Sequence, residues 1–166
     1  FRFLSPKAVL VTNIEADHLD HYRDLSEIYE KFQAFIASVP ADGLAVVCGD
    51  DAALLDLARG TGRPVISYGF GEGNDVVIES YEHKGVSSSY ALRLRDGRRI
   101  EGGLRQNPGA HNVANAAGVV TLLNALGFDA QQVADALSGF AGVKRRFDLV
   151  GEESGITVVD DYAHHP

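Results

Sequence analysis

The chain is poor in cysteine, has no surplus of positive charge and contains no long apolar run. One cysteine, Cys48, excludes an internal disulfide framework and fits a reducing compartment, which points to the cytoplasm. A formal net charge of −8 argues against broad, sequence-independent binding to nucleic acid, which needs a basic surface. No segment approaches the roughly 18 consecutive apolar residues of a membrane helix, so membrane insertion is not expected. The opening Phe1-Arg2-Phe3-Leu4-Ser5-Pro6 has no long apolar stretch with a cleavage site and is unlike a signal peptide.

What is present is the composition of a globular protein: 166 residues, 45% hydrophobic and 23% charged, enough for one domain with a real core. The chain enters an apolar segment almost at once and stops directly after a polar cluster. Both ends therefore predict a piece of a longer polypeptide.

Hydrophobic patterning predicts an α/β fold. Ala8–Thr12, Leu44–Cys48 and Pro64–Tyr68 read as short strands, the first two apolar enough to be buried on both faces. Between them, Leu25, Ile28, Phe32, Phe35 and Ile36 recur at helical spacing behind an Asp24/Glu27 capping pair, and a shorter helix is expected near Ala52–Arg59. The middle changes character. Asp75–Glu82, Ser87–Leu94 and Arg98–Leu104 read as antiparallel, half-exposed strands, with Asp96-Gly97 as a hairpin turn. Helices follow at Ala110–Leu126, ended by Gly127, and at Gln131–Leu137, then two further strands at Leu149–Val150 and Ile156–Val159. The expected fold is a mostly parallel sheet flanked by helices, with an antiparallel β extension and a hinge at Phe140–Lys144.

Four polar clusters punctuate this pattern. Thr12-Asn13-Ile14-Glu15-Ala16-Asp17-His18-Leu19-Asp20-His21-Tyr22 lies just past a buried strand, where open α/β sheets bind ligands. Its Asp, Glu and His suit a divalent metal, although a polar loop with a helix cap explains the same residues. In Asn107-Pro108-Gly109-Ala110-His111-Asn112-Val113-Ala114-Asn115-Ala116 a turn leads into a helix. There His111, Asn112 and Asn115 share a side away from the Val113–Ala116–Ala117–Val120 stripe. Free N–H groups at a helix start favour anions, and carboxamides suit the edge of a base, but Asn112 acting as a simple cap would produce the same spacing. Lys144-Arg145-Arg146-Phe147-Asp148 suits phosphate, or is a solvated basic linker. Asp160-Asp161-Tyr162-Ala163-His164-His165-Pro166 follows a strand, where a carboxylate often holds a ribose hydroxyl or a metal.

In this order, the four clusters together resemble the Mur ligase family over the whole chain. The versions Asn13-Ile14-Glu15-Ala16-Asp17-His18-Leu19-Asp20 and Asp160-Asp161-Tyr162-Ala163-His164-His165-Pro166 are similar to those of the member that joins L-alanine to UDP-N-acetylmuramate with ATP. The resemblance implies that His18 ligates Mg2+. It puts His111, Asn112 and Asn115 at the adenine, Asn115 most directly, with Arg146 near the ATP phosphates as a catalytic group beside His18, and Asp161 on the ribose. It also implies a division into residues 1–143, most of a central ATP-binding domain, and residues 144–166, a hinge and the first strand of a C-terminal domain. Two departures stand out. No Gly-x-x-Gly-Lys-Thr phosphate loop occurs in these residues, and in the family that loop precedes the matching segment. Lys31 is not assigned the role of the modified lysine that sibling ligases carry after the metal histidine. Two rival classes remain: a metal-dependent hydrolase built on Asp17, His18, Asp161 and His164, which would leave the Asn and Arg motifs without a task, and a non-catalytic nucleotide-sensing module.

Overall fold

A computed structural model of the chain describes residues 4–105, 108–140, 142–143 and 148–162. Its elements run β1 (Ala8–Val11), α1 (Leu25–Ala37), β2 (Leu44–Cys48), α2 (Ala52–Gly60), β3 (Val65–Gly69), β4 (Val76–Lys84), β5 (Ser87–Arg93), β6 (Arg99–Leu104), α3 (Ala110–Ala125), α4 (Ala130–Ser138), β7 (Asp148–Glu153) and β8 (Ile156–Asp160). Strands β1 to β6 form one sheet in sequence order. The expected α/β architecture is present, and the helix and strand boundaries fall within a few residues of those read from the patterning.

The sheet has helices on both faces. Val9, Val11, Ala45 and Val47 point to one side and meet Ile28 and Ile36 of α1 and Leu54 and Ala58 of α2. Val46, Tyr68, Ile78, Tyr90 and Leu92 point to the other and meet Val113, Ala117 and Val120 of α3 and Val133 and Ala134 of α4. This two-sided burial is why β1 and β2 are apolar without alternation. Helix α1 starts as the sequence suggests: the Asp24 carboxylate accepts from the Glu27 N–H at 2.9 Å, while the Glu27 carboxylate accepts from the Arg23 N–H at 3.0 Å. Its far end has no basic residue in the last turn. The Arg63 Nε donates instead to the Ala37 carbonyl at 3.1 Å, answering one of the open carbonyls of the helix end.

One pairing differs from the sequence reading, which took all three strands of the extension as antiparallel: β4 belongs both to the parallel core and to the extension. It pairs parallel with β3 at Tyr68/Val76 and Gly69/Val77, then continues past the end of β3 and pairs antiparallel with β5. Two carboxylates hold the tight connection that makes this possible. Asp50, just past β2, accepts from the N–H groups of Phe70 and Gly71 at 2.7 and 2.9 Å and from the Asn74 carboxamide at 3.0 Å. Asp75 accepts from the N–H and hydroxyl of buried Ser67, and the Ser67 hydroxyl in turn accepts from the Asp75 N–H. Single polar residues read one at a time give no sign of such pairing across the turn.

Strands β7 and β8 form a separate antiparallel hairpin. Its apolar residues Val150, Ile156 and Val158 are exposed. No helix of the described residues is long and apolar enough to cross a membrane.

Replacing Asp75 by Ala leaves the buried Ser67 N–H and hydroxyl without their acceptor. The expected loss is about 1–3 kcal/mol of unfolding free energy. Urea denaturation of the wild type and of Asp75→Ala measures it, and an unchanged midpoint would show that the β3–β4 turn does not depend on this carboxylate.

Candidate functional site

The three parallel strands β1, β2 and β3 end at one edge of the sheet, where the chain becomes polar. Helix α3 runs back across them: its Gly118 meets Tyr68 and Leu10, and its last residues, Thr121 to Ala125, border Ile66 at the start of β3. Its first turn therefore points towards the same edge as the strand ends. The fold brings two of the four polar clusters, the one after β1 and the one at the start of α3, to the ligand-binding edge of an open sheet.

The loop after β1 is anchored by Ile14, which is buried, and by Tyr22, packed against the α1-side core. Between these anchors the Thr12 hydroxyl donates to the Asn13 carboxamide at 3.0 Å, and Asn13 donates to the Glu15 carboxylate at 2.8 Å. His18 stands exposed at the apex. Its backbone is left-handed, with φ 54°, a conformation uncommon for a residue with a side chain. The Asp17 carboxylate accepts from the His18 N–H, its other oxygen lies 3.6 Å from the imidazole Nε2, and the His18 carbonyl accepts from the N–H groups of His21 and Tyr22. No group of three or more His, Cys, Asp or Glu side chains converges on a metal-sized position among the described residues. Magnesium keeps several waters and takes one or two protein ligands beside phosphate oxygens, so the loop fits it as one contributor and not as a complete cage. Lys31 lies at 3.3 Å from Glu27, one turn back on α1.

At the start of α3, Gly109 has φ 105° and supplies no side-chain cap. A Cβ there would fall 2.8 Å from the His111 ring, which lies over this residue, and the positive φ is what calls for glycine. Asn112 donates through its carboxamide to the Pro108 carbonyl at 3.0 Å. It closes the turn, which is the capping alternative left open by the sequence. Asn115 is exposed one turn later. Both asparagines line a hollow of about 340 Å³ whose other described walls are Leu104, Ala116, Val119, Leu137, Phe140 and Val143. His18, His111 and Asp161 are not among its described lining residues.

Asp161 is exposed just past β8. Arg146, with the rest of Lys144–Phe147, lies outside the described residues, as do Asn107, His164 and His165. Cys48 sits at the end of β2, where burial pushes its thiol up and disfavours the thiolate. The residues that sequence reasoning missed are the apolar walls. Phe140 read only as part of a turn-rich stretch, and nothing in its local pattern marked it as the rim of a cavity.

Known proteins share this fold. The model of the Mur ligase middle domain matches residues 1–123. A UDP-N-acetylmuramate–L-alanine ligase from Solidesulfovibrio magneticus is 42% identical over the whole of this chain, which covers 36% of that protein. The crystal structure of a UDP-N-acetylmuramate–alanine ligase from Thermotoga maritima superposes with a TM-score of 0.81 at 29% identity, over 99% of this chain and 36% of that one. A MurF ligase from Thermotoga maritima in complex with ADP superposes with a TM-score of 0.76 at 22% identity, over 93% of this chain and 35% of that one. The chain thus spans about a third of the length of the proteins it matches, and over that span it belongs to the Mur ligase family, whose middle domain makes up most of it.

Proposed function

We propose that the chain is the nucleotide-binding part of an ATP-dependent ligase of peptidoglycan precursor synthesis, of the type that joins L-alanine to UDP-N-acetylmuramate. Residues 1–143 form most of its central domain and residues 144–166 lead into a C-terminal domain. In this reading ATP phosphorylates the muramate carboxylate, the alanine amine attacks the acyl phosphate, and ADP and phosphate leave. The observation that carries the proposal is the hollow beside α3, with apolar walls and Asn115 exposed at its rim. A purine needs apolar surfaces over its faces and paired donors and acceptors at its edge, and a carboxamide supplies both. An ADP-bound ligase of the same fold supports a nucleotide as ligand, and the name of the Solidesulfovibrio relative supports the alanine-adding type.

Each residue has a separate task. Asn115 reads the base edge, and Asn112, tied to Pro108, holds the turn that aims it. His111 lies over Gly109 at the helix start, where the backbone dipoles favour the negative charge of a nucleotide. Arg146 meets the phosphates and Asp161 the ribose. His18 is held outward by its own loop and contributes one magnesium ligand. Magnesium, when bound, spreads the charge of the transferring phosphoryl group. The hydrolase alternative would leave Asn112, Asn115 and Arg146 without a task, which favours the ligase reading.

Asn115→Ala in the complete enzyme tests the nucleotide site. The Michaelis constant for ATP should rise about ten- to a hundredfold, the loss of one or two hydrogen bonds worth roughly 1–3 kcal/mol, with that for the muramate nucleotide much less affected. An unchanged ATP constant in a normally folded variant removes Asn115 from the site. His18→Gly tests the metal loop. Glycine accepts the left-handed backbone, so the melting temperature should hold or rise, whereas the magnesium concentration needed for half-maximal activity should increase. Equal magnesium dependence in wild type and variant would contradict the assignment. This chain on its own, lacking a phosphate loop, should release no appreciable phosphate from ATP in the presence of muramate nucleotide and alanine. A phosphate-release assay checks this.

A further inference from the structure

Phe140 stands just past α4, with its N–H donating to the Leu137 carbonyl at 3.0 Å and its side chain 49% exposed. It lines the Asn115 hollow and also a second, more apolar hollow of about 400 Å³ between α3 and α4. Val119, Leu137 and Phe140 line both, so the two hollows adjoin at these three side chains. Of the three, only Phe140 offers a flat aromatic face. Asn115, Val119 and Leu123 follow one another at four-residue spacing along α3 and so lie in one row. Leu123 belongs to the second hollow. A group attached to the base edge that Asn115 reads would run along this row, past Val119, to where the two hollows adjoin at Phe140.

We propose that Phe140 is a specificity-determining residue of the nucleotide site: its ring covers one face of the base and closes the pocket against the neighbouring hollow, which limits the size of base accepted. This rests on the reading of the Asn115 hollow as a purine site. Stacking of an aromatic ring on a base is favourable and tolerant of the base's identity, so stacking would contribute affinity while closure of the pocket contributes size selection.

The test uses the complete enzyme with ATP and with N6-benzyl-ATP, whose added ring extends from the amino edge. Wild type should discriminate against the benzyl analogue. Phe140→Ala should raise the Michaelis constant for ATP about tenfold and improve the ratio of kcat/KM for the analogue over ATP by at least about tenfold, because stacking is lost and the two hollows join. Phe140→Trp should stay near wild type in both respects. Phe140→Leu keeps apolar bulk without the ring and should weaken ATP while still excluding the analogue, so the proposal remains testable if the alanine variant does not fold. Melting temperatures identify a variant that is merely destabilised. If Asn115→Ala raises the ATP constant but neither Phe140→Ala nor Phe140→Leu alters ATP or analogue kinetics, the proposal is overturned and the nucleotide reading stands. If Asn115→Ala has no effect either, the nucleotide reading itself fails.

Discussion

The close approach of α3 to the sheet sets the geometry on which everything at the polar edge depends. Gly118 sits where a Cβ would fall 2.8 Å from the Tyr68 ring and 2.9 Å from the end of Leu10. Tyr68 is fully buried and has little freedom to withdraw. With only a hydrogen at position 118, the helix axis lies low enough for Val113, Ala117 and Val120 to bury completely, and the small residue Ala116 is buried with them. A larger residue at 118 would lift the middle of α3 and swing its first turn, where His111, Asn112 and Asn115 stand. Overpacking of this kind costs about 1–3 kcal/mol. Its more specific consequence would be misdirection of the carboxamides. Packing in the middle of the helix and the aim of the side chains at its end are one constraint.

The same dependence runs through the strands. The hollow beside Asn115 has Leu104, the last residue of β6, as one wall. The position of β6 follows from β5 and β4, and β4 is placed by the Asp50 and Asp75 hydrogen bonds that bring it alongside β3. Helix α4 closes the far side and is fixed to β6 by Gln131, which donates to the Glu101 carbonyl at 2.8 Å and accepts from the Glu101 N–H at 3.3 Å. This packing has a polar cost. Tyr90, Ser88 and Tyr68 carry buried hydroxyls without a hydrogen-bond partner among the described residues. Burial, with a smaller contribution from Asp135, pushes Tyr90 up to about 12, so it stays neutral at any physiological pH and adds no buried charge to the cost.

Much of this was legible in the sequence because the signals are local and periodic. The runs Ala8–Val11 and Leu44–Cys48 could be read as strands covered on both faces, and Asp24 with Glu27 as a helix start, because each pattern fits within one element. The parallel pairing of β4 with β3 escaped, since it depends on carboxylates at positions 50 and 75 acting across a turn. Gly118 gave no sign of its contact partners, which lie on two different strands. The polar clusters were visible as clusters, but their roles were not separable. Asn112 and Asn115 look alike in a sequence. Both border the hollow, and only the Pro108 carbonyl in reach of Asn112 marks it as the one that also closes the turn.

Strain and exposure point the same way in the loop after β1. A left-handed backbone at a residue with a side chain costs on the order of 1–3 kcal/mol, and His18 lies exposed, outside either hydrophobic core. Glycine would fit the backbone better, and asparagine tolerates it. A histidine kept there gains nothing from burial that could offset the strain. The loop nevertheless holds it firmly, with Ile14 and Tyr22 anchoring the two ends and the Asp17 carboxylate on its N–H. Fixing an imidazole outward in an unfavourable conformation is expensive for stability and useful for a group that must meet a ligand at a set position. The two halves of the polar edge solve the same problem differently. At α3 a glycine takes the left-handed position so that the neighbouring side chains can be aimed without strain. After β1 the side chain proposed as a metal ligand and the strained backbone coincide in one residue.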